Sequence, residues 1–486
     1  MKIFSFYLKF NKKNDIIKPI NYINSTQNKE RREMSVPTLQ AITAKNTAMH
    51  NKASSRFFPR TIPIDLTKAT EEAFEQIAIY SKYTSQKFGS EAFFTSLEKE
   101  EGYNYFSDKM LLNLMKYHFH KTKPLDKDLL TKFLFAATKK GLKSSVKYVL
   151  KISLYNALDI VDNKNEYGWT ALMIATIENH EKIVKLLINA IADLNHQDNS
   201  GSTALMHAAI KGHKEIVELL INAEADVDLQ NTKGLVAVMF AALSGHKEIA
   251  ALLINAKADL NLQNNNGWTA VMFAALSGHK EIAALLINAK ADLNHQANNG
   301  STAVMFAAMN SHKEIVELLI NAGADVTLQV NNGLTALMLA AATGYKEIVK
   351  LLINAGADFN HQDNDGYTAL IFASLKSQKE IAALLINAGA DFNHQGNDGY
   401  TALIFASVKG HKEIEELLIN AGANIKWNSK LQMFKYLFKG QKVASSFSSR
   451  AKNYLPRNIT CKGITITMIA LSFLATHYIS KIEPSN

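Results

Sequence analysis

The chain is 486 residues long, 47% hydrophobic, with 54 Lys+Arg against 44 Asp+Glu and one cysteine. That lone Cys461 excludes an internal disulfide framework and points to a reducing compartment. The formal charge of +10 belongs to the ends: residues 1–60 carry 12 Lys/Arg against 3 Asp/Glu and residues 426–486 carry 10 against 1, so the middle is acidic and is excluded as a phosphate-tracking surface.

The N-terminal MKIFSFYLKFNKK holds an apolar run that Lys9 cuts too short for a secretory h-region, and no small-residue cleavage site follows. Residues 1–62 are polar and basic, contain Pro19, Pro37 and Pro59, and read as a largely disordered leader. Residues 63–125 are helical in pattern: Leu111, Leu114, Met115 and His118 follow Ser107 at i, i+3, i+4, i+7 spacing. Leu130, Phe133, Leu134 and Ala137 repeat that spacing behind Asp126, a predicted N-cap, and residues 126–167 read as a degenerate capping unit.

From Gly168 one phrase then recurs eight times. It opens on Gly168, Gly201, Gly234, Gly267, Gly300, Gly333, Gly366 and Gly399, always 33 residues apart. Within one unit, TAVMFAAL is a short helix apolar all round, and HKEIAALLINA is a second helix, charged at its start and apolar at Ile282, Ala283, Leu285, Leu286 and Ile287. DLNHQANNG is a polar loop with Asn and Gly at its tip, where positive φ is cheap. Two short helices and a turn cannot bury their own apolar faces, so neighbouring units must stack and share them.

These words resemble the ankyrin repeat family, whose pattern is a turn glycine, Thr-Pro-Leu-His, Ala-Ala, Gly-His, an Ile-Val-x-Leu-Leu helix and Gly-Ala-Asp-x-Asn. The matching residues of one unit are Gly201, Thr203, Ala204, Leu205, Ala208, Ala209, Gly212, His213, Ile216, Val217, Leu219, Leu220, Ala225 and Asp226. The resemblance covers residues 168–431 and implies an all-α solenoid of stacked helix-turn-helix units behind a helical N-terminal region. It further implies that loop tips and inner helices line a concave surface that binds a protein. The Asn-, Lys- and Ile-rich vocabulary is similar to that of ankyrin proteins of intracellular bacteria, which implies a cytoplasmic protein or one delivered into a host cell.

Two departures stand out. The family's Thr-Pro is Thr-Ala in most units, and no proline occurs between Pro124 and Pro456. The glycine that ends the second helix is present at Gly323, Gly356, Gly389 and Gly422 but replaced by Ile191, Glu224, Lys257 and Lys290 in the first four units. A left-handed residue is expected there, strained without glycine by about 1 kcal/mol, so the front half should be locally softer.

Candidate chemistry is sparse. His213, His246, His279, His312 and His411 recur at one position of units about 10 Å apart, too far to share a metal whose bonds to nitrogen are about 2.1 Å. They read as capping and hydrogen-bonding residues. The loop series His196, His295, His361 and His394 fails the same distance test. No Gly-rich phosphate loop or nucleophile elbow appears, so no catalytic site, cofactor or metal is expected in the array.

A binding reading rests on two columns that vary while the scaffold words stay fixed. After the turn glycine stand Trp169, Ser202, Leu235, Trp268, Ser301, Leu334, Tyr367 and Tyr400; ending the inner helix stand Glu178, Lys211, Ser244, Ser277, Asn310, Thr343, Lys376 and Lys409. Tryptophan and tyrosine often anchor protein interfaces. The expected partner surface therefore comprises Trp169, Glu178, Lys211, Leu235, Trp268, Leu334, Tyr367, Lys376, Tyr400 and Lys409. The alternative is that the rings pack on adjacent loops, and the order Trp, Ser, Leu, Trp, Ser, Leu fits duplication of a three-unit block.

The array is expected to bind a protein as a monomeric, non-catalytic scaffold with no specific nucleic acid. An enzyme within residues 61–165, targeted by the array, is the alternative from a different class. At the rear, GANIKWNSK from Gly422 breaks the repeat ending and reads as a C-terminal cap. A basic segment follows over 432–458, then an apolar one over 459–486, in which residues 464–480 carry no formal charge for 17 residues, the lower edge of a membrane span. That stretch is either a membrane anchor holding the array on the cytoplasmic side or an element covering the last repeat.

Overall fold

The computed structural model describes residues 125–424, together with Asp108, Lys109, Leu112, Met115 and Lys116. The leader over 1–62, most of 63–124 with Leu111, Leu114 and His118, and the C-terminal segments 432–458 and 459–486 with the candidate span 464–480 lie outside the described residues.

Helix α1 (Lys127–Lys139) and α2 (Lys143–Tyr155) form the first pair. The repeats continue as α3 (Ala171–Ile177) with α4 (Glu181–Asn189), α5 (Ala204–Lys211) with α6 (Lys214–Asn222), α7 (Ala237–Ser244) with α8 (Lys247–Asn255), and α9 (Ala270–Ser277) with α10 (Lys280–Asn288). Next come α11 (Ala303–Met309) with α12 (Lys313–Asn321), α13 (Ala336–Thr343) with α14 (Lys346–Asn354), α15 (Ala369–Leu375) with α16 (Lys379–Asn387), and α17 (Ala402–Lys409) with α18 (Lys412–Asn420). Odd-numbered helices pack on odd neighbours as an inner row, and even-numbered helices on even neighbours as an outer row. Among the described residues there is no strand, only an isolated bridge between Gln329 and Thr335.

Local chemistry explains each element. Asp126 caps α1 as expected, its carboxylate accepting from the backbone N–H of Asp128 at 2.9 Å and Leu129 at 3.2 Å, and Leu130, Phe133, Leu134 and Ala137 are all buried. Helix α2 has no side-chain cap of its own; Asp108 supplies one from an earlier helical turn, accepting from the N–H groups of Ser144 and Ser145 at 2.8 Å each. Inner helices start on Thr170, Thr203, Thr335, Thr368 and Thr401, whose hydroxyls accept from the residue three further on. Outer helices bury an Ile, Val/Ala, Leu edge; Ile216, Val217 and Leu220 are each 0% exposed, and burying an aliphatic side chain of this size contributes about 1.5–3 kcal/mol.

Two glycine positions set the geometry. At Gly300, φ is +82° and an ideal Cβ would lie 2.7 Å from Cα of Val330 in the next loop, so both the turn and the close approach of units require glycine. After each outer helix the chain turns left-handed in every unit: φ is 62°, 66°, 62° and 65° at Ile191, Glu224, Lys257 and Lys290, and 89°, 85°, 96° and 94° at Gly323, Gly356, Gly389 and Gly422. The first four units thus hold side chains where the last four hold glycine. Nothing lies within 4 Å of a Cβ built on Gly323 or Gly356, so the strain there is purely that of the backbone.

A hydrogen-bonded ladder joins the loop tips. Asn265, Asn298, Asn331, Asn364 and Asn397 each donate Nδ2 to the carbonyl 33 residues earlier at 2.9–3.1 Å. Their backbone N–H groups donate to the previous loop as well, as in Asn331 to Asn299 O at 2.9 Å. Every asparagine in this column is thereby tied to the unit before it, which explains the repeat's insistence on Asn in the tip.

Candidate interaction surface

Each histidine column is a tie between units. The Nε2–H groups of His213, His246, His279 and His312 donate to the carbonyls of Ile177, Ile210, Leu243 and Leu276 in the preceding inner helix at 3.2–3.3 Å. His411 does the same through Nδ1 to Ser374 O at 2.9 Å. The hydrogen-bonding role stands, but these residues make no side-chain cap to their own outer helices, because the ring reaches backwards instead. The loop histidines His196, His295, His361 and His394 donate to the turn glycines Gly168, Gly267, Gly333 and Gly366 at 2.9–3.2 Å.

The column after the turn glycine splits by burial. Leu235, Trp268 and Leu334 are 7%, 4% and 4% exposed. Trp268 packs edge-on against Phe306 of the next inner helix, with ring centroids 4.7 Å apart, and against Phe273 at 5.4 Å. All three side chains are therefore buried within the array, Trp268 between rings of its own and the next inner helix, which leaves them little surface to offer a partner. Trp169, Tyr367 and Tyr400 are half-buried. Tyr367 packs on Phe405 at 5.5 Å and donates its hydroxyl to Asp398 Oδ2 at 2.6 Å; burial and the Asp398 carboxylate both push its pKa up.

The column ending the inner helices behaves differently. Glu178, Lys211, Ser244, Ser277, Asn310, Thr343 and Lys376 are half-buried and Lys409 is exposed, so in none of the eight units is this position closed off. The series runs from a Glu178–Lys211 pair through four uncharged residues to two lysines. Partial burial lowers the Lys211 pKa, opposed by the Glu178 carboxylate nearby.

One buried cluster escaped the sequence reading. Asp198 is 8% and His207 5% exposed, and His207 Nε2 lies 2.9 Å from Asp198 Oδ2. The same carboxylate accepts from Trp169 Nε1 at 3.2 Å, from Ser200 Oγ at 2.6 Å and from the N–H groups of Ser200 and Ser202 at 2.8 and 2.9 Å. Burial alone would raise the Asp198 pKa, but the hydrogen bonds from His207 and Ser200 outweigh it and hold the group at about 2. The signal was available: His207 stands where other inner helices carry Ile174, Phe240, Phe273, Phe306, Leu339, Phe372 and Phe405. Ser200 Oγ lies 2.6 Å from Asp198 Oδ1 and 2.9 Å from Ser202 Oγ, so its bonds go to the carboxylate and a neighbouring hydroxyl rather than to the imidazole.

An open cleft of about 530 Å³ lies at the front, lined by Lys127, Asp128, Thr131, Asp162, Asn163, Lys164 and His196. Its inner groups have structural partners: Asn163 Nδ2 donates to Thr131 Oγ1 at 2.6 Å, and Asp162 accepts from Asp193 N at 2.8 Å. Among the described residues no group of three His, Cys, Asp or Glu side chains is placed to hold a metal, and no helix is long and apolar enough to cross a membrane.

A family model for ankyrin repeats, three copies long, matches the chain at residues 108–198, 133–231, 190–264, 219–297, 238–330, 285–363 and 337–430. The windows overlap into one stretch over 108–430, about two thirds of the chain, beginning at the turn that caps α2. A search of the curated proteins found no match.

Proposed function

The chain belongs to the ankyrin-repeat family, and from that premise we propose that its array is a non-catalytic scaffold gripping a protein partner along the column of inner-helix ends. Ankyrin repeats are in general protein–protein interaction modules. What carries the specific reading is accessibility joined to variation: at Glu178, Lys211, Ser244, Ser277, Asn310, Thr343, Lys376 and Lys409 the position stays open in every unit while its chemistry changes.

Scaffold positions around that column do the opposite. The alanine pairs of the inner helices, such as Ala241 with Ala242 and Ala274 with Ala275, are 0% exposed and allow the rows to pack closely. A partner segment lying along the column meets hydroxyl and amide groups over the middle four units and cations at Lys376 and Lys409. The half-buried rings of Tyr367 and Tyr400 add rigid apolar area beside the rear lysines, the composition that interfaces favour.

Site-specific photo-crosslinking tests this placement. A crosslinking residue at Ser244, Ser277 or Thr343 should capture the partner, whereas the same residue at Ala251, Ala284 or Lys350 on the outer row should not. Capture from the outer row alone would overturn the assignment.

A further inference from the structure

Helix α2 differs in length from every outer helix that follows it. It has 13 residues, whereas the outer helix of each of the eight repeats has nine. Both α2 and α4 begin two residues after a left-handed position, Gly141 at φ +72° and Asn179 at +59°, so the surplus falls at the C-terminal end. It amounts to about one turn, over 152–155, that runs on where a repeat helix stops.

Its charge differs as well. Every repeat outer helix has a glutamate in its first turn; α2, KSSVKYVLKISLY, has no carboxylate anywhere, and its Lys143, Lys147 and Lys151 are all exposed. Asp108 at its start is occupied with the N–H groups of Ser144 and Ser145, and the next carboxylate along the chain is Asp159 in the following loop. A fourth cation, the exposed Lys116, has its Nζ 5.9 Å from the centre of the Tyr148 ring on α2. This corner is therefore basic on a body that is acidic as a whole.

Bare apolar side chains stand beside those lysines. The surplus turn carries Leu154 and Tyr155, 84% and 90% exposed, and α4, which packs on α2, is followed by Ile191, 88% exposed. Among the described residues these are the three most exposed large hydrophobic side chains. At 3.6 residues per turn, Lys143, Leu154, Lys147, Lys151 and Tyr155 share an arc of about 120° on α2. Ile191 is the sharper anomaly: a β-branched residue is held at φ +62°, a costly conformation for it, and so bare a side chain gains no packing that offsets the strain.

We propose that this corner docks the protein on an anionic lipid bilayer, with the lysines of α2 among the headgroup phosphates and Leu154, Tyr155 and Ile191 at the boundary with the acyl chains. Lysines close to an anionic leaflet are attracted to it, and apolar side chains that enter the boundary add buried area. A tyrosine ring, apolar in body and polar at its tip, suits that depth. Single side chains standing out from helix ends fit a fluid surface, whereas a folded partner would have to offer each a pocket. Because α2 and α4 belong to the outer row, docking there leaves the inner-helix ends open to a protein.

The test sediments the full-length chain with vesicles of phosphatidylcholine alone and of phosphatidylcholine mixed with phosphatidylserine. The chain should bind the mixed vesicles and not the neutral ones, and salt at about 0.5 M should weaken that binding. Joint replacement Lys143→Gln, Lys147→Gln and Lys151→Gln should lower the partition at least about ten-fold, and Leu154→Ser with Tyr155→Ser about ten-fold, each without moving the melting temperature. Lys346→Gln with Lys350→Gln on α14 should leave it unchanged. Equal binding to both vesicles, or full binding by the α2 variants, would overturn the proposal, the latter by placing the lipid contact elsewhere in the chain. So would mass that rises with concentration and falls back with Leu154→Ser and Tyr155→Ser, which would seat a second copy on this corner.

Discussion

The residue after each turn glycine and the residue ending each inner helix both vary along the array, yet the first column is closed off in five of the eight units and the second in none. The first column is buried in five units, Ser202, Leu235, Trp268, Ser301 and Leu334 being 7% exposed or less, and half-buried at Trp169, Tyr367 and Tyr400. The second stays open in all eight units. Variation in a repeat therefore has two consequences. In a packing column it changes what the next inner helix meets, as where Trp268 meets Phe306; in the open column the side chains keep solvent access whatever they bond to locally, as Asn310 does to Phe306 O and Thr343 to Leu339 O.

The largest effect expected from that contrast is at Trp268. Trp268→Ala removes a ring held between Phe273 and Phe306 and should cost about 3–5 kcal/mol, read as accelerated amide exchange centred on units four and five. A loss under about 1 kcal/mol would return Trp268 to the surface column.

Next in size is the Asp198 cluster, which ties Trp169 of the packing column to the interior. Its folded pKa of about 2 lies below the ordinary 3.8, so the folded state favours the charged carboxylate. The stabilisation is complete above the unfolded value and is lost as pH falls through 3.8 toward 2; it amounts to about 2 kcal/mol. Asp198→Asn should therefore destabilise the protein near neutral pH, and its deficit against the unaltered chain should shrink below pH 3. A deficit that is constant with pH would show that the carboxylate's charge is not what the cluster uses.

Much of this was legible in the sequence. The invariant 33-residue spacing, the helix pair, the cap at Asp126 and the left-handed turns at Ile191, Glu224, Lys257 and Lys290 all follow from period and residue type. The fate of Trp268 was not legible, because a period assigns a residue to a column without saying whether rings of neighbouring inner helices enclose it. Likewise the Asp108 cap on α2 joins residues 36 apart through a segment with no repeat phrase, so no pattern announced it. His207 was visible as a polar exception among apolar counterparts, but its meaning depends on Asp198, which only folding brings to it.

The left-handed turns give a smaller test, in which front and rear halves serve as controls for each other. Lys257→Gly should gain a few tenths to about 1 kcal/mol, since relief of native strain is partly offset by glycine's freedom when unfolded. Gly356→Lys should cost a similar amount; open space around Gly356 means that only the backbone resists. Thermal melts of both variants read the sign, and a lower midpoint for Lys257→Gly would contradict the strain argument. The smallest stability effect belongs to the open column: Lys211→Ser, Lys376→Ser and Lys409→Ser should each fall within about 0.5 kcal/mol.

The most direct measurement is a side-by-side titration of partner binding and thermal stability for Trp268→Leu and for the triple change Lys211→Ser, Lys376→Ser and Lys409→Ser. The account predicts that the triple variant keeps its melting temperature while losing at least about ten-fold in affinity, and that Trp268→Leu melts earlier but binds normally while folded. The reverse pattern, binding lost with Trp268 and retained without the lysines, would contradict the assignment of the partner surface to the inner-helix ends.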